Sequence, residues 1–208
     1  FPAIERPSVL LTTSARGLPF PNLSSVCADD AAAAEAAAEH LLENGHRHIA
    51  VIGGSPAQSD ASRERLAGCR EAFSRRGLAF EELCRYETAR FSLESAHDAM
   101  GRLLDGFPAL TAVLCMSDLM AIGAIRAVFD RGLRAPEDVS VTGFDGIELS
   151  RFCVPRLTTV RQDTDRLAER GVALLIGMME GSCGASHETI PFSLIRGESV
   201  LPLTAYKE

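Results

Sequence analysis

Four short stretches of the chain end in side chains able to grip a small molecule: Gly53-Gly54-Ser55 with the downstream Ser59 and Arg65, then Phe91, then Ser117-Asp118, then Asp145. Arginine donates through a planar fork, an ionised carboxylate accepts on two oxygens, small hydroxyls do both, and an aromatic ring offers a flat face. These types suit a polyhydroxylated or heterocyclic ligand held by hydrogen bonds and stacking. None of them is an activated nucleophile, so the set reads as a binding site with no catalytic residue. Each side chain also has an ordinary structural use: Asp118 as a helix N-cap, Phe91 as core, Arg65 as a solvated charge, and Asp145 as a turn residue before Gly146. Spacing alone leaves both uses open.

Cofactor and metal signatures are missing. Gly53-Gly54 is followed by neither a dinucleotide fingerprint nor a phosphate loop, and there is no G-x-S-x-G elbow. His46 and His48 form an H-x-H pair without a third ligand, and His46 directly after Gly45 reads as a cation complementing a helix end. His40, His97 and His187 fit no Ser, His and Asp arrangement. The expectation is therefore no metal and no cofactor.

The elements that must position these residues alternate. Apolar runs at 7–13, 25–28, 48–53, 83–86, 112–117, 139–143 and 158–162 are separated by helical patterns, the signature of a parallel sheet covered by helices. The pattern predicts helices over 62–76 (Leu66, Cys69, Phe73 inward) and 93–104 (Leu93, Ala96, Met100, Leu103 inward), with Gly77 and Gly106 as left-handed caps. A third helix opens at Ser117-Asp118, carries Ile122, Ile125, Val128 and Phe129 on one face, and stops at Gly132. A final helix over 164–180 precedes a last strand at 189–195. Between 143 and 158 no helix of ordinary length fits, so the chain is expected to cross between two sheets there. All the candidate side chains fall at carboxyl ends of strands, where open parallel sheets bind ligands.

Composition sets the outer limits. With 46% hydrophobic residues, 24% charged residues and a net charge of −7 over 208 residues, the chain is neither a disordered tail nor a fibre. Its apolar stretches, such as 171–179, fall short of the ~20 residues of a membrane helix. An excess of 28 acidic over 21 basic residues argues against a phosphate-tracking surface in this stretch. Six scattered cysteines without a C-x-x-C read as free thiols, Cys27 and Cys115 as small hydrophobes, in a reducing cytoplasm. The chain starts at Phe1 with no visible signal peptide.

Five ordered segments carry a family likeness: 39–54, ending Ile49-Ala50-Val51-Ile52-Gly53-Gly54; Arg65-Leu66-Ala67-Gly68; Ser117-Asp118-Leu119-Met120-Ala121-Ile122-Gly123-Ala124; Pro136-Glu137-Asp138-Val139-Ser140-Val141-Thr142-Gly143-Phe144-Asp145; and Leu157-Thr158-Thr159-Val160. Together they resemble the effector-binding domain of the lactose-repressor and galactose-repressor (LacI/GalR) family of bacterial transcription regulators. The resemblance implies an α/β, periplasmic-binding-protein-like fold of two doubly wound parallel-sheet subdomains joined by crossover strands. It makes Arg65 and Asp145 the main hydrogen-bonding partners of a small-molecule effector, Phe91 the stacking ring, and Ser117 and Ser59 secondary contacts. Thr12 takes a cleft position that is acidic in some members, and Ser117 stands where sugar-binding members often have asparagine.

The resemblance further implies a homodimer whose faces include Met120, Phe152 and Cys153. The effector would be a sugar or derivative, or a nucleoside or purine. The family's helix-turn-helix, hinge helix and leading β-α units are not seen in this sequence. The chain is therefore expected to hold part of an N-terminal subdomain (1–28 and 163–192) and a whole C-terminal one (29–162 and 193–208). Operator DNA would be reached only through the missing helix-turn-helix, and no membrane contact is expected. Two competing functions share these residues: a solute-binding protein of a sugar transport system, which requires export, and a small α/β enzyme using Asp145 or Asp118 as base.

Overall fold

The computed structural model describes residues 4–203. Contacts divide these residues into two units, one made of the residues up to Asp29 with Gln162–Phe192, the other of Asp30–Arg161 with the residues from Ser193 onward. The sequence-derived ranges also take in 1–3 and 204–208, which lie outside the described residues.

The larger unit alternates helix and strand: α1 (Asp30–Glu43), β3 (Ile49–Gly53), α2 (Asp60–Arg75), the short α3 (Phe80–Leu83), β4 (Cys84–Thr88), α4 (Leu93–Gly106), β5 (Ala112–Cys115), α5 (Asp118–Asp130) and β6 (Ser140–Asp145). A single 3-10 turn, Glu148–Arg151, precedes β7 (Thr158–Gln162), and β9 (Phe192–Ile195) completes a six-stranded sheet in the order β4-β3-β5-β6-β7-β9. β3 to β7 run parallel, with Ile49 opposite Ala112 and Val113 opposite Val141. Every residue of β3 and β5 is buried, the continuous apolar run required of strands covered on both faces.

The helices start where the sequence offers a hydroxyl. Ser59, Ser92 and Ser117 each accept the backbone N–H three residues on, filling an otherwise orphaned donor of α2, α4 and α5. α1 buries Ala33, Ala34, Ala37 and Ala38 with Leu41 and Leu42, and these small side chains let α2 come close. A Cβ at Gly68 of α2 would lie 2.0 Å from the Ala31 carbonyl oxygen, so only glycine fits that approach.

The smaller unit is a parallel three-stranded sheet, β1 (Ser8–Leu11), β2 (Leu23–Ala28) and β8 (His187–Ile190), in the order β1-β2-β8. α6 (Thr164–Glu180) packs on it through Leu167 and Leu174 against Val26, Ile190 and Val9.

Four expectations change. The strand predicted over 189–195 is two, β8 and β9, which split at Pro191 and enter different sheets. Gly106 is the last residue of α4 without a left-handed backbone, and Phe107 caps the helix by donating its N–H to the Leu103 carbonyl. Leu93 is exposed at the start of α4. α5 packs inward through Met120, Ala121, Gly123, Ala124, Ala127 and Val128, leaving Ile122 and Ile125 half-buried and Phe129 68% exposed. Small residues face α4 because the two helices pack closely, so the bulky stripe points away. Among the described residues no helix is long and apolar enough to cross a membrane.

Candidate functional site

Parallel pairing brings the carboxyl ends of β3, β5 and β6 to one rim of the larger unit. Arg65 reaches this rim from the buried face of α2 and is only 5% exposed, which overturns its reading as a solvated charge. Its Nε donates to Asp30 Oδ1 at 2.8 Å and its Nη1 to the Met116 carbonyl at 2.5 Å, at the end of β5. The guanidinium carbon lies over the Phe144 ring, 3.6 Å from its centroid, and Nη2 is 4.0 Å from Asp145 Oδ1. A buried charge is tolerated only when paired and hydrogen-bonded in this way. Two of its five N–H donors are taken, and the Nη2 pair points toward Asp145.

Asp145, the last residue of β6, has φ 107°, and Gly146 follows at φ 72°. A non-glycine residue in that region is strained, and such strain persists where the surroundings over-determine it. A Cβ on Gly146 would fall 2.6 Å from the Cβ and Cγ of Arg161. The tight turn leaves the Asp145 carboxylate about one-third exposed beside Arg65.

Asp118 is not the N-cap of α5; Ser117 is, accepting the Met120 N–H at 3.2 Å. Asp118 is the first helical residue and is wholly buried, its Oδ2 accepting the Ile147 N–H at 2.8 Å and its Oδ1 the Thr159 hydroxyl at 2.5 Å. Burial pushes its pKa up to about 6, against the pull of the Thr159 and Ile147 hydrogen bonds, and the nearby Asp145 charge adds to the rise.

Phe91 sits partly exposed over the β3 turn: a Cβ on Gly54 would lie 2.8 Å from its Cε2. The Tyr86 hydroxyl donates to the Gly54 carbonyl at 2.5 Å, and burial pushes that phenol up to about 12. Ser59 and Ser117 serve as N-caps, their oxygens accepting while their O–H groups keep donor capacity. Thr12 belongs to the smaller unit, at φ 64°, with its hydroxyl donating to the Leu11 carbonyl. The structure thus brings Arg65, Asp145 and Asp118 together with Asp30 and Phe144, two side chains that the spacing argument did not place with them. The signal for Asp118 was present in the Ser117-Asp118 pair, where two N-capping types compete for one cap.

Of the residues expected on a dimer face, Met120 is corrected: it is completely buried in the core between α5 and the sheet. Phe152 is 71% exposed, and Cys153 is half-buried, its thiol donating to the Ser150 and Pro155 carbonyls. Cys153 and Val154 line, with Ile122, Ile125 and Phe129, an apolar groove of about 510 Å³.

His46 is not a helix-end cation. Its ring is buried between the Thr111 hydroxyl and the Leu201 carbonyl, each 3.0 Å away, and burial lowers its pKa. Among the described residues no three His, Cys, Asp or Glu side chains are grouped to hold a metal. All six cysteines are free; Cys69, Cys84 and Cys115 are buried, whereas Cys27 is only half-buried.

Residues 38–200 match the periplasmic binding protein-like domain family. The transcriptional repressor CytR of Escherichia coli K12, of the helix-turn-helix type, is 37% identical over 159 residues, which is 76% of this chain and 46% of that protein. The chain spans about half the length of the curated relatives it matches. Among solved structures, a sugar-binding LacI-family transcriptional regulator from Escherichia coli, complexed with phosphate, superposes with a TM-score of 0.80 at 31% identity, covering 94% of this chain and 69% of that one. The regulator CelR in complex with cellobiose gives 0.81 at 33% identity, covering 92% of this chain and 58% of that one. These relatives are transcriptional regulators, not enzymes.

Proposed function

We propose, from the premise that this chain belongs to the LacI family of transcriptional regulators and carries its periplasmic-binding-protein-like effector-binding domain, that the rim of the larger unit binds a neutral polyhydroxylated effector, a sugar, sugar derivative or nucleoside. The observation that carries this reading is the Arg65–Asp145 pair. The Arg65 guanidinium is shared between two carboxylates, Asp30 and Asp145, so its charge is offset within the cluster instead of being offered whole to an anion. Asp145 accepts from ligand hydroxyls, the Nη2 group of Arg65 donates to a ring or hydroxyl oxygen, and Phe91 offers its exposed face to the apolar side of a sugar or base. The Ser59 and Ser117 hydroxyls add donors at the edge.

An effector that favours one state of the domain shifts its population, and operator affinity changes reciprocally. DNA is contacted by a helix-turn-helix of the kind its relatives carry. The outer face of α5 with Phe152, Cys153 and Val154 forms a homodimer interface, since exposed contiguous apolar patches of this kind mark contact surfaces. A regulator of this kind acts in the bacterial cytoplasm, which free cysteines fit.

The test is a thermal-shift comparison of the wild type and Asp145→Ala with ribose, cellobiose, adenosine, adenine and ribose 5-phosphate. A neutral compound present at a hundredfold excess over its Kd adds about 2.7 kcal/mol to the native state. A rise in Tm with a neutral compound in the wild type alone supports the site. A rise only with ribose 5-phosphate, or one that persists in Asp145→Ala, overturns it.

A further inference from the structure

We propose that Asp118 is the positioning residue for Asp145: its buried carboxylate clamps the turn that follows β6 and so fixes the left-handed backbone from which Asp145 addresses the ligand. This rests on the reading of Asp145 as a ligand contact. Three elements meet at one carboxylate. α5 delivers Asp118 itself, the turn after β6 donates the Ile147 N–H at 2.8 Å with the Gly146 N–H beside it, and β7 donates the Thr159 hydroxyl at 2.5 Å. Consecutive backbone N–H groups converging on one anion form a small nest, which holds both the anion and the backbone that makes it. The two donors belong to the residues immediately after Asp145, so the clamp acts on the peptide planes that set its conformation.

The sequence of β6 is shaped to this arrangement. A Cβ at Gly143 would lie 2.3 Å from Asp118 Oδ1, so the strand has no side chain where the carboxylate passes. The positive φ of Asp145, a conformation that persists where the surroundings hold it, lies directly before the two residues whose N–H groups Asp118 accepts. The titratable groups acting on Asp118 include Asp145 at the end of β6, the Cys115 thiol on β5 and the Cys153 thiol beyond the 3-10 turn, with Arg65 beyond Asp145, its Nη2 4.0 Å from Asp145 Oδ1; among the described residues no ion pair joins Asp118 itself to a cation. Loss of the Asp118 charge therefore weakens the hydrogen bonds to the turn without breaking an ion pair.

The experiment is NMR on the whole chain, which reads the backbone and needs no ligand. In Asp118→Ala, three-bond couplings should show Asp145 leaving positive φ, and the Gly146 and Ile147 amides should exchange about a hundredfold faster, while Ile52 in β3 is unchanged. Asp118→Asn, whose amide oxygen still accepts from Ile147, should keep both signatures, and Asp145→Asn should leave the amides protected. In the wild type, the Asp118 carboxyl carbon and the Ile147 nitrogen should titrate with one common midpoint, a measurement that stands even if Asp118→Ala does not fold. Unchanged φ and protection in folded Asp118→Ala, or independent titration of the two nuclei, overturns the proposal. Because Asp145→Ala in the ligand screen tests the site itself, either reading can fail without the other.

Discussion

The two ends of interest on α5 invert the usual distribution of residue types in opposite ways. At its amino terminus charge is buried: Asp118 is sealed in, and across the rim Arg65 is held between Asp30 and Phe144. Along its outer face apolar surface is exposed, with Phe129 at 68% and, beyond the helix, Val154 at 89%. Folding alone explains neither, since ordinary packing hides the apolar and solvates the charged. Buried charge marks where the molecule must hold a defined polar geometry, and exposed apolar surface marks where it expects to be covered. One helix links the two, so a change at one end has a rigid element along which to reach the other.

The contrast can be broken most severely at the buried end. Arg65→Ala breaks the largely buried ion pair with Asp30 and should cost about 3 kcal/mol, read as a shift in urea midpoint at constant slope. Asp118→Asn should do the reverse. The folded-state pKa of Asp118 is raised from 3.8 to about 6, so its contribution is fully present below about pH 3.8 and is lost as pH rises through about 6. The asparagine variant should therefore gain up to about 3 kcal/mol over the wild type near pH 7.5, and almost nothing near pH 4, in parallel denaturation series. A larger gain at low pH would contradict the burial argument.

At the exposed end the cost should appear in association. Phe129→Arg should leave the unfolding midpoint at low protein concentration within about 0.5 kcal/mol, yet weaken the proposed self-association at least about tenfold by sedimentation, roughly 1.4 kcal/mol. The smallest effect belongs to the strained turn. Asp145→Gly relieves a positive φ and should stabilise by about 1 kcal/mol or less, while abolishing effector response, because glycine has no carboxylate to offer.

These contrasts also explain what could be read in the sequence. The alternation of strands and helices was legible because β3 and β5 are apolar throughout and serine residues cap α2, α4 and α5. The inward face of α5 was not, because periodicity weights bulky residues, whereas this helix packs by its alanines and Gly123 and turns its bulk outward. Met120, which the resemblance put on a dimer face, belongs to the same inward set. Pro191 sits in a run that reads as one strand, and only the sheet order shows it dividing two. Of the candidate site, Arg65 and Asp145 stood out by type and strand-end position. Asp118 stood out with them, but its burial did not, since its partners Ile147 and Thr159 lie 29 and 41 residues away and meet it only through the β6–β7 pairing. Asp30 was hidden similarly, 35 residues before Arg65.

The hydroxyl of Tyr86 tied to the Gly54 carbonyl gives the molecule a built-in optical probe. The chain has no tryptophan and only two tyrosines, the other being Tyr206 outside the described residues. Ultraviolet emission from the folded domain therefore comes from very few rings, one of them bonded to the turn over which Phe91 lies. A molecule settling on that turn changes the quenching of Tyr86 by its carbonyl partner, so occupancy can be followed in unlabelled protein by excitation in the tyrosine band.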